Sequence, residues 1–180
     1  EPIKGTKNPQ KMLQTGIPFT KKPVALQFDY KVKMSDRENR IRATGFSKIT
    51  DVPGKDYPAA ILLLQKRWED ANGNVYAKRI GTMVTYYYHS TDWKNNVTYE
   101  IMYGDITNRP EYKAHMMRLQ ATESYTVNSK GESVPIHEVA WGDENDVPTH
   151  MYIQFTSSHG GAYIGSPGNT LWVDNVKLVY

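Results

Sequence analysis

The chain has 180 residues, 39% of them hydrophobic and 23% charged, which is typical of one globular domain with a sizeable core and excludes a disordered chain. Its net charge of +3 lies in residues 1–22, which hold five Lys and one Glu, so the rest of the chain is almost neutral and lacks the basic surface of a nucleic-acid-binding protein. The absence of cysteine excludes a disulfide framework and a thiolate metal site.

The first segment, residues 1–22, mixes Lys, Gly, Pro and Thr without a period. It predicts an irregular N-terminal arm that packs on a domain formed by residues 23–180. The next segment alternates between apolar and polar side chains, which is the period of a half-buried strand. Its apolar face holds Leu26, Phe28, Tyr30, Val32 and Met34.

The strand pattern continues to the C-terminus. The continuous apolar run Ala59–Leu64 and the segment Val75–Tyr88 flank Asn72-Gly73, a strong signal for a β-hairpin. Pro110–Gln120 alone predicts a short helix. Further strands are predicted at residues 41–46, 97–103, 151–156 and 171–180. This pattern predicts an all-β fold, a two-sheet antiparallel jelly-roll sandwich with one short helix, whose first and last strands lie near each other.

Glycoside hydrolysis needs two carboxylates in one pocket. Glu69 and Glu100 are the candidate catalytic pair, because both lie on or beside predicted strands. No strand carries the E-x-D-x-E pattern that would place two carboxylates on one face. The alternative is that both glutamates are simply solvated.

Four tryptophans offer flat rings on which a sugar can stack. Trp93 and Trp141 lie next to polar residues in predicted connections, where packing explains an indole less easily, so they are candidate carbohydrate contacts. Trp172 is predicted in the core, because it shares a strand face with Val176 and Leu178.

Asp174 lies on that same predicted face, so we expect it to be at least partly buried. A buried carboxylate needs hydrogen-bond donors or a cation. In similar jelly-roll carbohydrate-binding modules the Asp of the closing strand often serves a structural calcium ion, and this similarity makes Asp174 a candidate calcium ligand. The alternative is that it accepts hydrogen bonds from the glycine-rich loop before the last strand. Asp29, on the polar face of the first long strand, is either a pocket residue or a solvated partner of a neighbouring lysine.

The two ends of the chain carry a family resemblance. The segment Phe155–Tyr180 contains a Ser-Ser pair, a glycine-rich stretch and a closing L-x-V-D-N-V-x-L-x-Y strand. The N-terminal segments Gly16–Phe19, Lys22-Pro23 and Leu26–Lys31 read G-I-P-F, K-P and L-Q-F-D-Y-K. These motifs resemble those of the putative carbohydrate metabolism domain family. The matching C-terminal residues are Ser157, Ser158, Gly161, Gly165, Gly168, Asn169, Leu171, Val173, Asp174, Asn175, Val176, Leu178 and Tyr180.

The resemblance implies a jelly-roll domain of exported or surface-attached bacterial proteins that degrade polysaccharides. Domains of this family often follow an immunoglobulin-like domain, and they are frequently labelled glycoside hydrolases on structural similarity alone. The family has no agreed catalytic residues, so none is carried over to this chain. The resemblance implies a secreted, periplasmic or cell-surface location, in one form as a lipoprotein. We expect the chain to be either a mature form whose signal segment has been removed or an excised domain.

Three functions follow from these observations. The first is non-catalytic binding of an oligosaccharide or polysaccharide, for which the candidate residues are Trp93, Trp141, Asp29, Tyr30 and His159. The second is a glycoside hydrolase that uses a carboxylate pair. The third is a structural spacer or adhesin whose tyrosine-rich faces only pack against neighbours. No stretch approaches 18 apolar residues, so the sequence predicts no transmembrane segment.

Overall fold

Residues 8–44, 48–143 and 145–180 are described by a computed structural model of the chain. Two short helical segments are present in this part, a 3-10 turn at Pro9–Met12 and helix α1 at Ala114–Met117. The strands are β1 Ile17–Pro18, β2 Ala25–Lys33, β3 Ile41–Arg42, β4 Thr50–Asp51, β5 Ala59–Glu69, β6 Val75–Tyr86, β7 Thr91–Glu100, β8 Met102–Tyr103, β9 Tyr125–Val127, β10 Ser133–Trp141, β11 His150–Thr156, β12 Ile164–Gly165 and β13 Thr170–Val179. The prediction of an all-β sandwich with one short helix is confirmed.

The larger sheet has the strand order β1-β11-β5-β6-β10-β9, with β8 added to β6. Strands β5 and β6 form the predicted hairpin, and Gly73 at its turn has a φ of 91°, which a residue with a side chain rarely adopts. The apolar run of β5 is buried on both faces, which explains why it does not alternate. One pairing, β6 with β10, is parallel, so this sheet is mixed.

The smaller sheet has the order β13-β2-β7 and covers one face of the larger sheet. The first long strand and the last strand are therefore hydrogen-bonded neighbours, as predicted. The core between the sheets is built around Phe28, whose ring lies 5.2 Å from that of Tyr99 and 5.0 Å from that of Phe155. Strand β3 lies between β12 and β4 in a further small sheet. Residues 45 and 46 of the predicted strand at 41–46 lie outside the described part of the chain.

The other face of the larger sheet is covered by the segment that follows β8. Ile61 and Leu63 of β5 pack there against Ile106 and Met117. Helix α1 is shorter than predicted: Lys113 provides no side-chain cap at its start, and Arg118 leaves the helical conformation with a ψ of 158°. The outer face of the sheet therefore has a partial cover, and the uncovered part forms the floor of a cleft.

The prediction that Trp172 is in the core is wrong, and so is the prediction that Asp174 is partly buried. Trp172 is 39% exposed and Asp174 is also on the surface. The cause is a β-bulge in β13 at Asn175, which has a φ of 51°. A bulge adds one residue to the strand. The side chains that face the core therefore belong to odd-numbered residues before the bulge and to even-numbered residues after it. Leu171 and Val173 face the core before the bulge, and Leu178 faces it afterwards.

The described part of the N-terminal arm lies along the larger sheet. Thr15 donates a backbone hydrogen bond to Tyr125 (2.7 Å), and Phe19 donates one to Thr149 (2.9 Å). Between them, β1 pairs with β11 and forms the edge of the larger sheet. No helix in the described residues is long and apolar enough to cross a membrane.

Candidate binding cleft

The uncovered outer face of the larger sheet forms the floor of a cleft of about 450 Å³, a volume typical of small-molecule sites. Tyr86 of β6 and two residues of β11, Tyr152 and Gln154, contribute to this floor. The walls come from the N-terminal arm, from α1 and residues 118–124, and from the glycine-rich residues 158–162. Segments distant in sequence therefore meet around one concavity, which we call the cleft.

Aromatic and imidazole rings meet around Tyr86. The ring of Tyr86 lies 5.5 Å from that of His159 and 6.3 Å from that of His115, both in edge-on contact. Burial raises the pKa of Tyr86, and burial raises the pKa of Tyr152 to about 12, so both phenols stay protonated at neutral pH. The Tyr152 hydroxyl donates a hydrogen bond to the Gln154 side chain beside it. The cleft thus offers rings together with neutral hydrogen-bonding groups.

His159 keeps part of its side chain exposed to the cleft, yet the surrounding protein atoms still remove water from its ring. This desolvation lowers the pKa of His159, and the charge of Asp56 offsets it only in part. The imidazole is therefore neutral at pH 7. A neutral imidazole has one donor and one acceptor nitrogen, which suits contact with a hydroxyl group.

The glycine-rich wall is held in place by the buried carboxylate of Asp56. It accepts hydrogen bonds from the backbone amides of His159 (2.9 Å) and Gly160 (3.0 Å). A Cβ on Gly160 would lie 2.8 Å from this carboxylate and 2.9 Å from Ile164, so the position requires glycine. The carboxylate that serves the glycine-rich loop is thus Asp56, whereas Asp174 accepts a hydrogen bond from the adjacent amide of Asn175.

The opposite wall carries an ion pair between Arg118 and Glu123. Glu123 also accepts hydrogen bonds from the amides of Ala121 (2.7 Å) and Thr122 (2.8 Å). Burial raises the pKa of Glu123, but these hydrogen bonds and Arg118 outweigh that effect, so the pKa lies below its ordinary value. The two charges of this wall compensate each other.

A buried ion pair between Arg79 and Glu138 holds the backbone of this wall in place. Glu138 accepts a hydrogen bond from the backbone amide of Gln120 at 2.7 Å. Its partner Arg79 donates to the carbonyl oxygens of Met117 (3.4 Å) and Arg118 (3.3 Å). The pair therefore fixes the backbone of residues 117–120, on which the Arg118 side chain depends.

Comparisons with known proteins do not place the chain in a family. Protein-family models, curated proteins and solved structures all give no match. The family resemblance of residues 155–180 therefore stays a prediction, and function has to be argued from the geometry of the cleft.

Among the predicted carbohydrate contacts, His159 lines the cleft and the other four lie elsewhere. Asp29 faces outward from the smaller sheet and accepts hydrogen bonds from the Asn96 amide (2.6 Å) and the Asn175 side chain (2.7 Å), which lower its pKa. Tyr30 packs against the core, with its ring 4.6 Å from that of Tyr87.

The two predicted tryptophan contacts also lie outside the cleft. Trp93 is 46% exposed and belongs to strand β7, not to a connection as predicted. Trp141 is half-buried beside the second core cluster, with the Arg79 guanidinium 5.6 Å from its ring centre. Neither ring contributes to the cleft wall, although Trp93 remains accessible on the smaller sheet.

The two candidate catalytic glutamates lie on different sheets. Glu69 ends β5 and accepts hydrogen bonds from the side chain (2.6 Å) and amide (2.9 Å) of Ser129, which lower its pKa. Glu100 ends β7 in the smaller sheet and forms an exposed ion pair with Arg109 at 3.6 Å. Neither lines the cleft, and the lowered pKa of Glu69 does not suit a general acid.

Within the described residues, no group of three or more histidine, aspartate or glutamate side chains is arranged to hold a metal ion. Asp174 stands on the exposed side of the bulge. Asp29 is its cross-strand partner, but the two carboxylates are not part of a larger group of this kind in the described part of the chain.

Sequence reasoning missed most of the cleft. Tyr86, Tyr152 and Gln154 are ordinary strand residues. Whether they line a cleft depends on which part of the sheet the other segments leave uncovered. Asp56 lies in a connection before β5 and carries no motif of its own. The available signal was the Ser-Ser-His-Gly-Gly sequence, since a glycine-rich loop with a histidine points to a position where backbone approaches another group closely.

Proposed function

We propose that this domain binds carbohydrate in the cleft without transforming it. The observation that carries the proposal is the meeting of Tyr86, Tyr152 and His159 with side-chain amides in one concave site. Aromatic rings pack on the C–H faces of sugars, while amide, phenol and imidazole groups exchange hydrogen bonds with hydroxyls. The lining combines these rings with many polar side chains, which suits a ligand rich in hydroxyl groups.

The electrostatics of the cleft support a neutral, hydroxyl-rich ligand. His159 is neutral because its pKa is lowered, and Arg118 is paired with Glu123. A site for a strongly charged ligand would leave a counter-charge free to meet it. Here the charged groups are already matched, so the hydrogen-bonding groups decide what binds.

The carboxylates support binding over hydrolysis. A glycosidase needs two carboxyl groups on either side of the scissile bond, one of them with a raised pKa. Of the described residues that line the cleft, Glu123 is the one carboxylate, and its pKa is lowered. We therefore expect no release of reducing sugar from a broad panel of polysaccharides. Turnover that Glu123→Gln abolishes in a folded protein would overturn this part of the proposal.

The biological setting belongs to the same proposal. A carbohydrate-binding domain of this kind would serve an exported or cell-surface bacterial system that captures polysaccharides, next to an immunoglobulin-like domain. The family resemblance at the two ends of the chain supports this setting.

The proposal is tested by a glycan array of plant, host and microbial polysaccharides, followed by calorimetry. We expect a dissociation constant between about 1 mM and 1 μM, as modest contact areas provide. Tyr86→Ala and Gln154→Ala should each weaken binding at least about tenfold, which corresponds to a loss of about 1.4 kcal/mol of binding free energy. The matched control is Tyr76→Ala, which removes a half-buried tyrosine that contacts Trp68 away from the cleft. A folded protein that binds none of these glycans would favour the spacer function.

A further inference from the structure

A second cavity, of about 430 Å³, lies near the cleft. It is formed where β5 begins and β6 ends, since Ala59 pairs with Tyr86 and the amide of Tyr87 donates to the carbonyl of Pro58 at 2.9 Å. Tyr57 and Tyr88 lie just beyond this last pairing, and both line the second cavity. Lys55, Asp36 and His89 provide polar groups there.

A row of rings joins the two cavities. The ring of Tyr88 lies 4.8 Å from that of Tyr57 on one side and 6.5 Å from that of Tyr86 on the other. Tyr86 in turn contacts His159 in the cleft at 5.5 Å. The Tyr88 hydroxyl also donates to the sulfur of Met116, which lines the cleft, at 3.8 Å. The cleft and the second cavity are therefore lined by tyrosines whose rings are neighbours.

Tyr88 is the accessible member of this row, with 44% of its surface exposed. It follows Tyr86, the last residue of β6, by two positions, and the two rings are neighbours. Because Tyr88 is exposed, packing in the core alone does not explain why an aromatic ring stands at this position. Its position suits contact with a ligand that continues from one cavity into the other.

From this arrangement we propose that the cleft and the second cavity form one extended groove that takes a linear oligosaccharide, with Tyr88 stacking on a sugar unit between them. This inference rests on the carbohydrate binding proposed above and adds chain-length specificity to it. Successive ring centres lie 4.8–6.5 Å apart, which is comparable to the advance of a polysaccharide by one sugar unit. A monosaccharide or disaccharide would fill only the cleft, whereas a longer chain would also contact Tyr88 and Tyr57.

The test is calorimetry with cello-, xylo-, manno- and chito-oligosaccharides of one to six units. For the series that binds, we expect the affinity to rise at least about tenfold between the disaccharide and the tetrasaccharide or pentasaccharide, since the longer chain also contacts the rings of Tyr88 and Tyr57. Tyr88→Ala should remove that rise and leave the disaccharide affinity unchanged. Tyr57→Ala should reduce it in part, and the control Tyr76→Ala should change nothing.

The outcomes separate this inference from the proposed function. Equal affinity for all lengths, or a Tyr88→Ala variant that keeps the full rise, overturns the extended groove while carbohydrate binding stands. A Tyr86→Ala variant that loses the disaccharide while Tyr88→Ala loses only the longer chains supports both. If no oligosaccharide in these series binds and the array is silent, both proposals fail together.

Discussion

Arg79 and Glu138 form an ion pair that is buried inside the larger sheet, where the arginine side chain is only 1% exposed. Nε of Arg79 donates to Oε1 of Glu138 at 2.6 Å, and the side chain of Gln65 donates to the same oxygen at 2.5 Å. With the backbone partners of residues 117–120, this network satisfies both charges in the interior. It also links the sheet to a wall of the cleft.

Removing one member of this pair should be strongly destabilising, because the other charge stays buried without a partner. We expect Arg79→Met to lower the free energy of unfolding by about 3–5 kcal/mol. The control, Lys66→Met, removes an exposed ion pair with Asp146 (2.8 Å) and should cost at most about 1 kcal/mol. Urea unfolding measures both variants, and equal effects would contradict the network described here. The double variant Arg79→Met with Glu138→Leu should recover much of the loss, since no charge is then stranded.

The anchor of the glycine-rich wall can be tested at Asp56. In Asp56→Asn one carboxylate oxygen becomes an amide nitrogen, which cannot accept a hydrogen bond from the amide of His159 or Gly160. We expect a loss of about 1–3 kcal/mol in the free energy of unfolding. Hydrogen exchange at the amides of His159 and Gly160 should also become faster. The exposed Asp92→Asn serves as control, and unchanged exchange at both amides would contradict the assigned role of Asp56.

Stability should fall as the pH drops below the ordinary histidine pKa of 6.5. Desolvation lowers the pKa of both His150 and His159 in the folded protein, so the unfolded chain binds protons more readily. This contribution is complete above pH 6.5 and is lost as the pH falls through the folded-state pKa values. Urea unfolding between pH 8 and about 5 measures the slope. Replacing both histidines with glutamine should flatten it, and an unaltered slope in that variant would show that other groups are responsible.

Chelation is expected to leave the melting temperature unchanged. A calcium ion bound only to the folded state would stabilise it by mass action, so its removal by EDTA would lower the melting temperature. Asp174, the predicted ligand, lies on the surface and accepts a hydrogen bond from its neighbour Asn175 at 2.8 Å. A fall of the melting temperature in EDTA, reversed by added calcium, would restore the metal site.

The elements of the fold were predictable where local signals agree. The alternating pattern of β2, the Asn72-Gly73 turn and the apolar run of β5 each indicate one structure only. The orientation of β13 was not predictable, because the bulge at Asn175 reverses the inward face within the strand. An alternating pattern contains no sign of an added residue, so Trp172 and Asp174 were placed on the wrong face.

The cleft was less predictable than the fold. Its residues come from strands β6 and β11, a poorly capped helix and a glycine-rich loop, and only long-range pairing brings them together. Tryptophans were predicted as sugar contacts, whereas tyrosines line the floor of this cleft. His159 was the one predicted contact that lies in it.

The most direct test of carbohydrate binding in the cleft is an NMR titration of the ¹⁵N-labelled protein with the best-binding oligosaccharide from the array. We expect the amide signals of residues 120–124, 152–154 and 158–162, which surround the cleft, to shift together with one dissociation constant. The signals of Trp93 and Trp172 on the outer face of the smaller sheet should stay in place. Shifts confined to that face, with the cleft signals unmoved, would place the sugar on the exposed tryptophans and contradict the account.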